Sequence, residues 1–384
     1  MLIDPVDLTA SLVRCPSVTP ADAGALDVLS TALTDLGFTC TRMPFEAPGT
    51  APIDNLFARV GTGRPHLCFA GHTDVVPAGD RSAWHHDPFG AKVVDGVMFG
   101  RGTSDMKGAI AAFVAGAGRF LKDAGAGFTG SISLLITGDE EGPAVNGTDK
   151  VLKALAERGE VPDACVVGEP TNPDALGDMI KIGRRGSLVG DLTVDGTQGH
   201  TAYPHLADNA ANRLVRMLAG LVAEPLDQGT EHFVPSNLEI TTIDIDNPVA
   251  NLIPAQAKAR FNIRFNDLHT APSLEVWCRR VFDAVGGRYT LSVQSNSPAF
   301  LTPPGPLSDW MVGAVAAVTG RVPAFSTTGG TSDARFIKDY CPVVECGLIN
   351  ATIHKVDERA RVQDIIDLAA IYHRFLSDYF SQAA

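Results

Sequence analysis

Five separate stretches of this chain end an apolar run with a histidine or a carboxylate. LCFAG is followed by His72 and Asp74, MFGRG by Asp105, SISLLITGD by Glu140 and Glu141, ACVVG by Glu169, and VVECGLINATI by His354. Two imidazoles among several carboxylates make a donor set suited to zinc, cobalt or manganese. One histidine alone is usually structural, and His66, His85, His86, His205, His232, His269 and His373 are read that way. Five coincident placements are better explained by one metal site. Residues two apart in extended chain point the same way, so His72 and Asp74 can face that site together. Asp74 would then accept the ring N–H of His72 and fix its tautomer. The neighbours Glu140 and Glu141 diverge, so one can bind metal while the other faces a water. Gly138 and Gly142 beside them allow close backbone approach. The carboxylates exceed what one tetrahedral ion needs, which suggests two ions sharing an acid, with Asp105 the candidate bridge.

The elements that must carry these residues read as α/β. Leu26, Leu29, Leu33 and Leu36 lie at helical spacing and stop at Gly37. Strands are predicted over 55–60, 66–70, 131–137 and 164–167, with a long apolar helix over 107–121. Short apolar strands between helices imply a sheet buried on both faces. In such sheets, ligands bind beyond the carboxyl ends of the strands, where these five stretches deliver their polar residues.

The middle of the chain changes pattern. Strand 187–195, helix 208–222, strands 237–245 and 257–265, helix 273–285 and strand 289–295 give the ferredoxin-like order β-α-β-β-α-β. After Pro298, Pro303, Pro304 and Pro306 the α/β pattern resumes, with helix 307–319, strand 342–347 and a helix near 361–379. The expectation is a discontinuous catalytic domain, residues 1–182 and 297–384, interrupted by an inserted α+β domain over 183–296.

The chain has 384 residues, more than one ordinary core accommodates. Its net charge of −13 disfavours nucleic acid and anionic membrane surfaces as partners. Seven scattered cysteines, with no C-x-x-C, suit a reducing compartment. The first residues, MLIDPVDLTASLVRC, do not read as a signal peptide, and no stretch reads as a membrane span. A cytoplasmic protein is expected.

GHTDVVP (71–77), GRGTSDMKG (100–108), TGDEEG (137–142) and VVGEPT (166–171) resemble the co-catalytic zinc peptidase and deacylase superfamily, which includes aminoacylases and acetylornithine deacetylase. IKIGRRGS (180–187), GTQGHTAYPH (196–205), TTGGTSDARFI (327–337) and NATIHKVDE (350–358) look like its desuccinylase branch, which acts on N-succinyl-diaminopimelate. The resemblance implies a zinc-peptidase-like fold with the insertion as lid and homodimer interface. It implies two zinc ions, one replaceable by cobalt. His72, Asp105 and Glu169 would hold one ion, and Asp105, Glu141 and His354 the other. Glu140 would be the general acid/base, Asp74 the support of His72, and His200 an oxyanion donor reaching across the dimer. Met106 stands where some relatives have a second acidic residue, and relatives have a cis peptide after the aspartate at 105. The substrate would be a small N-acyl amino acid. N-succinyl-diaminopimelate carries three carboxylates, for which Arg184 offers a planar fork. Thr331, Asn350 and Asn251 are further binding candidates, with Arg264 a weaker one. Other deacylases of the superfamily and di-zinc dipeptidases are the alternative readings.

Overall fold

A computed structural model describes residues 2–382 of the chain, which divides into two compact units. The first comprises residues up to Ile182, Thr302–Ser326 and the residues from Ser332 onward. Its core is an eight-stranded mixed sheet in the order Thr39–Arg42, Leu56–Val60, Ser131–Thr137, His66–His72, Ala164–Val167, Val343–Glu345, Met179–Lys181, Ala324–Ser326. The four central strands, from Ser131–Thr137 to Val343–Glu345, run parallel. Every residue of Ser131–Thr137 is buried, as expected for a strand covered on both faces.

Register aligns the ends of these strands. His72 pairs with Thr137, Ala70 with Val167, and Val167 with Glu345. The residues that follow therefore emerge at one edge, which places His72, Glu140, Glu141 and Glu169 together; Asp105 instead follows Val97–Phe99 of a separate three-stranded antiparallel sheet. On one face the helix Gly108–Ala124 packs against Val362–Gln382. Phe69 of the sheet stacks on Phe113 at 4.3 Å between centroids, and Tyr372 meets both rings edge-on. Gly116 permits this close approach, since a Cβ there would lie 2.8 Å from the carbonyl oxygen of Ala369.

The second unit comprises Gly183–Leu301 with Thr327–Thr331. Its antiparallel sheet runs Asn237–Asp244, Gln256–Phe265, Gly186–Asp195, Arg288–Ser297, with helices Ala210–Leu221 and Ala271–Val285. Burial alternates strictly along Gly186–Asp195, so Leu188, Leu192 and Val194 join the core with Leu214, Phe261 and Phe282. The rings of Phe261 and Phe265 lie over Gly190 and Gly186, their cross-strand partners.

The fold class is the α/β architecture with a βαββαβ insertion anticipated from the sequence. Two details differ. The helix Thr148–Glu157, which buries Val151, Leu152 and Leu155, was not anticipated. The return strand does not end the insertion at 296, because Phe300–Leu301 pairs with Gly183–Arg184 and keeps the chain in the second unit through Leu301.

Candidate metal centre

Five segments carry the side chains that gather here. His72 ends its strand, and Glu140 and Glu141 follow Ser131–Thr137 after a two-residue turn. Glu169 lies two residues beyond Val167. Asp105 sits in an irregular turn, Thr103–Lys107, before the helix Gly108–Ala124, and its bond to Met106 is cis. His354 lies in the loop before Arg359–Arg361, in a left-handed backbone conformation with φ 59°.

The side chains converge. His72 Nε2 is 3.3 Å from Asp105 Oδ1 and 3.5 Å from Glu169 Oε1. His354 Nε2 is 2.8 Å from Glu141 Oε1 and 3.3 Å from Asp105 Oδ2. The two oxygens of Asp105 thus face two different histidines. One donor atom from each of His72, Asp105 and Glu169 fits within 4.8 Å, and so does one from each of Asp105, Glu141 and His354. His72 Nε2 and Asp105 Oδ1 are buried with no hydrogen-bond partner. Buried polar atoms ordinarily find one. Two such atoms facing each other among nitrogen and oxygen donors suit a divalent cation, so the residues present fit a pair of metal ions.

The electrostatics of the metal-free cluster agree. Burial opposes charge on His72, but Asp105 and Glu169 beside it, with Glu140 and Asp74, raise its pKa well above the usual histidine range. Hydrogen bonds to Asp105 and Glu141 raise His354 to about 10. Burial penalises the Asp105 anion, yet His354 and His72 hold its carboxyl below the ordinary range. Burial, followed by the charge of Glu169, pushes Glu140 well above the usual carboxylate range. Protons on the histidines thus occupy the place that metal charge would take.

One expectation about geometry needs correction. The Asp74 carboxylate does not accept the ring N–H of His72, since Oδ1 stands 3.6 Å from Nδ1. The Asp74 backbone carbonyl lies 2.9 Å from Nδ1 instead. The carboxylate turns away to accept the backbone N–H groups of Glu140 at 3.3 Å and Glu141 at 3.0 Å. Asp74 therefore tethers the acidic loop through its side chain and orients the imidazole through its main chain.

Asn350 belongs to the first unit, with its N–H on the Asn172 carbonyl. His200, Arg184, Asn251, Arg264 and Thr331 belong to the second. There, exposed His200 pairs with Leu252 across a short ladder, and its Nδ1 accepts from the Ala202 N–H. Arg184 is buried and donates to the Gly330 carbonyl at 2.9 Å. Arg185 donates to Asn237, a structural contact. Thr331 shares a hydrogen bond with Ser297, and the Asn251 carbonyl accepts from Thr201. Arg101 and Glu358 were missed as site residues, although both lie inside motifs quoted above. Arg101 between Gly100 and Gly102 was the available signal, while Glu358, between Asp357 and Arg359, offered none.

Comparison with known proteins adds independent findings. The model of the peptidase family M20/M25/M40 matches residues 68–378. The succinyl-diaminopimelate desuccinylase of Rhodospirillum centenum is 61% identical over 383 residues, covering 100% of this chain and 99% of that protein. The aminopeptidase PepT of Bacillus cereus superposes with a TM-score of 0.79 at 20% identity, covering 98% of each chain. The YXEP protein of Bacillus subtilis, a dinuclear metal binding peptidase, superposes with a TM-score of 0.70 at 16% identity over 99% of this chain and 98% of that one. Likeness at these low identities speaks to fold alone.

Proposed function

The chain belongs to the M20/M25/M40 peptidase family, and from that premise we propose that it hydrolyses N-succinyl-LL-2,6-diaminopimelate to succinate and LL-2,6-diaminopimelate, a step of lysine and diaminopimelate biosynthesis. The observation that carries this reading is the convergence of five segments on one carboxylate, Asp105, whose oxygens face His72 and His354. The identity to a desuccinylase along the whole chain supports succinyl over other acyl groups.

In this reading His72, Asp105 and Glu169 hold one metal ion, and Asp105, Glu141 and His354 the other. Zinc suits the donors, with cobalt as a replacement. Zinc in these positions supplies Lewis acidity toward the amide carbonyl and makes water acidic near neutral pH. Glu140 takes the proton of the attacking water and passes it to the departing amine. Its burial supports this role, because a carboxyl with a raised pKa is both a base and a competent acid near neutrality. Asp74 holds the Glu140 and Glu141 N–H groups and so steadies the backbone that carries both side chains. His200 donates to the developing oxyanion from the partner of a homodimer formed through the inserted unit. Arg184 binds a substrate carboxylate, aided by Thr331, Asn350 and Asn251. The free thiols are consistent with a cytoplasmic enzyme, and among the described residues no helix is long and apolar enough to cross a membrane.

Turnover of N-succinyl-LL-2,6-diaminopimelate by Glu140→Gln tests the assignment, with metal content measured alongside. The expected result is unchanged metal content and a loss of about 10²- to 10⁴-fold in kcat. Near-normal turnover would remove Glu140 from the chemistry. Faster hydrolysis of N-acetylornithine than of the succinyl substrate would replace the substrate reading with that of a sibling deacylase.

A further inference from the structure

Behind the metal centre lies an ion pair that the chemistry above does not use. Glu358 is fully buried and Arg101 is 2% exposed, with Nη1 of the arginine 2.7 Å from Glu358 Oε2. Removing two charges from water is expensive, and apolar residues of similar shape often serve stability as well. Local contacts point to a different use. The other oxygen of Glu358, Oε1, accepts the backbone N–H of Ser104 at 3.1 Å and of Asp105 at 3.2 Å. The guanidinium also donates to the carbonyl of Lys355 at 3.2 Å and to that of Pro77 at 3.4 Å. One pair thus ties the turn of Asp105 to the loop of His354 and to the segment following Asp74.

The two candidate metal positions depend unequally on this tie. His72 and Glu169 are placed by paired strands of the central sheet. His354 lies in a loop, at a positive φ that residues bearing a Cβ rarely adopt. Arg101 grips the carbonyl of the very next residue, Lys355. We propose that the Arg101–Glu358 pair is a positioning element that sets the affinity of the metal position formed by Asp105, Glu141 and His354. The position formed by His72, Asp105 and Glu169 depends on it much less.

The proposal rests on the two-metal reading, and its test separates the two. The full-length protein is stripped with a chelator and titrated with Co²⁺, followed by calorimetry and the visible spectrum. Wild type binding two equivalents upholds the two-metal reading, and His354→Ala identifies which step belongs to that histidine. Arg101→Lys and Glu358→Gln are expected to weaken that step by about 10- to 100-fold, the usual effect of losing an outer partner of a ligand, with the other step little changed. Thermal melting of the stripped variants checks that they fold. If Glu358→Gln does not fold, Arg101→Lys, which keeps a cation but loses the fork, decides the matter. Two unchanged steps, or two steps weakened equally, would overturn the proposal. Fewer than two equivalents on wild type would overturn the two-metal reading itself.

Discussion

His66 gives the protein a calculable sensitivity to acid. It opens the buried strand His66–His72, is 2% exposed, and its Nε2 lies 2.8 Å from the Ser133 hydroxyl on the adjacent strand. Burial is the main cause that lowers its pKa to about 4, and the nearby Arg59 charge acts in the same direction. An unfolded histidine takes its proton near pH 6.5, whereas the folded one resists until about pH 4. The unfolded state therefore binds more protons across that interval, and stability falls as pH falls. The contribution is complete above pH 6.5 and is lost progressively toward pH 4. At about 1.4 kcal/mol per pH unit the interval is worth about 3 kcal/mol. His66→Gln keeps a polar group for Ser133 and removes the titration. Urea unfolding of chelator-stripped wild type and variant, at steps from pH 7 to pH 4, isolates the effect. The metal-centre carboxylates and histidines titrate alike in both proteins. Wild type is expected to lose about 3 kcal/mol more than the variant over this range. Equal slopes for the two proteins would refute the claim that the fold holds this imidazole neutral.

Two further predictions concern the metal centre. A Cβ on Gly347 would lie 2.3 Å from the carbonyl oxygen of Glu169 and 2.4 Å from that of Gly168. Both obstacles are backbone, so Gly347→Ala must displace the segment carrying Glu169. Overpacking of this kind costs about 1–3 kcal/mol, and weaker metal retention against a chelator is expected; retention like wild type would show that the segment yields harmlessly. In the metal-free protein His72 lies well above its usual pKa and His354 at about 10, so both carry protons near neutrality. Metal requires them neutral, so binding should release about two protons and tighten as pH rises. Calorimetry in buffers of different ionisation enthalpy reads this directly, and heats independent of buffer would contradict it.

The separation of what was legible from what was not follows a physical line. The apolar run Ser131–Thr137, the leucines of Ala25–Asp35 and the alternation in Gly186–Asp195 announce their elements, because burial periodicity is written in residue type. The sequence also determined which residues meet at the metal centre. Parallel strands in register end at one edge, so His72, Glu140, Glu141 and Glu169, at or just beyond their strands, must arrive there, whereas Asp105 and His354 come by loops. Only the tertiary structure decided how those residues are used. It turned the Asp74 carboxylate toward the Glu140 and Glu141 N–H groups instead of the His72 ring. It also buried Arg101 against Glu358, residues 257 positions apart in the chain. Residue type and spacing determine which face of an element is apolar. Which oxygen meets which N–H depends on remote segments packed to within a fraction of an ångström, and no local pattern encodes that.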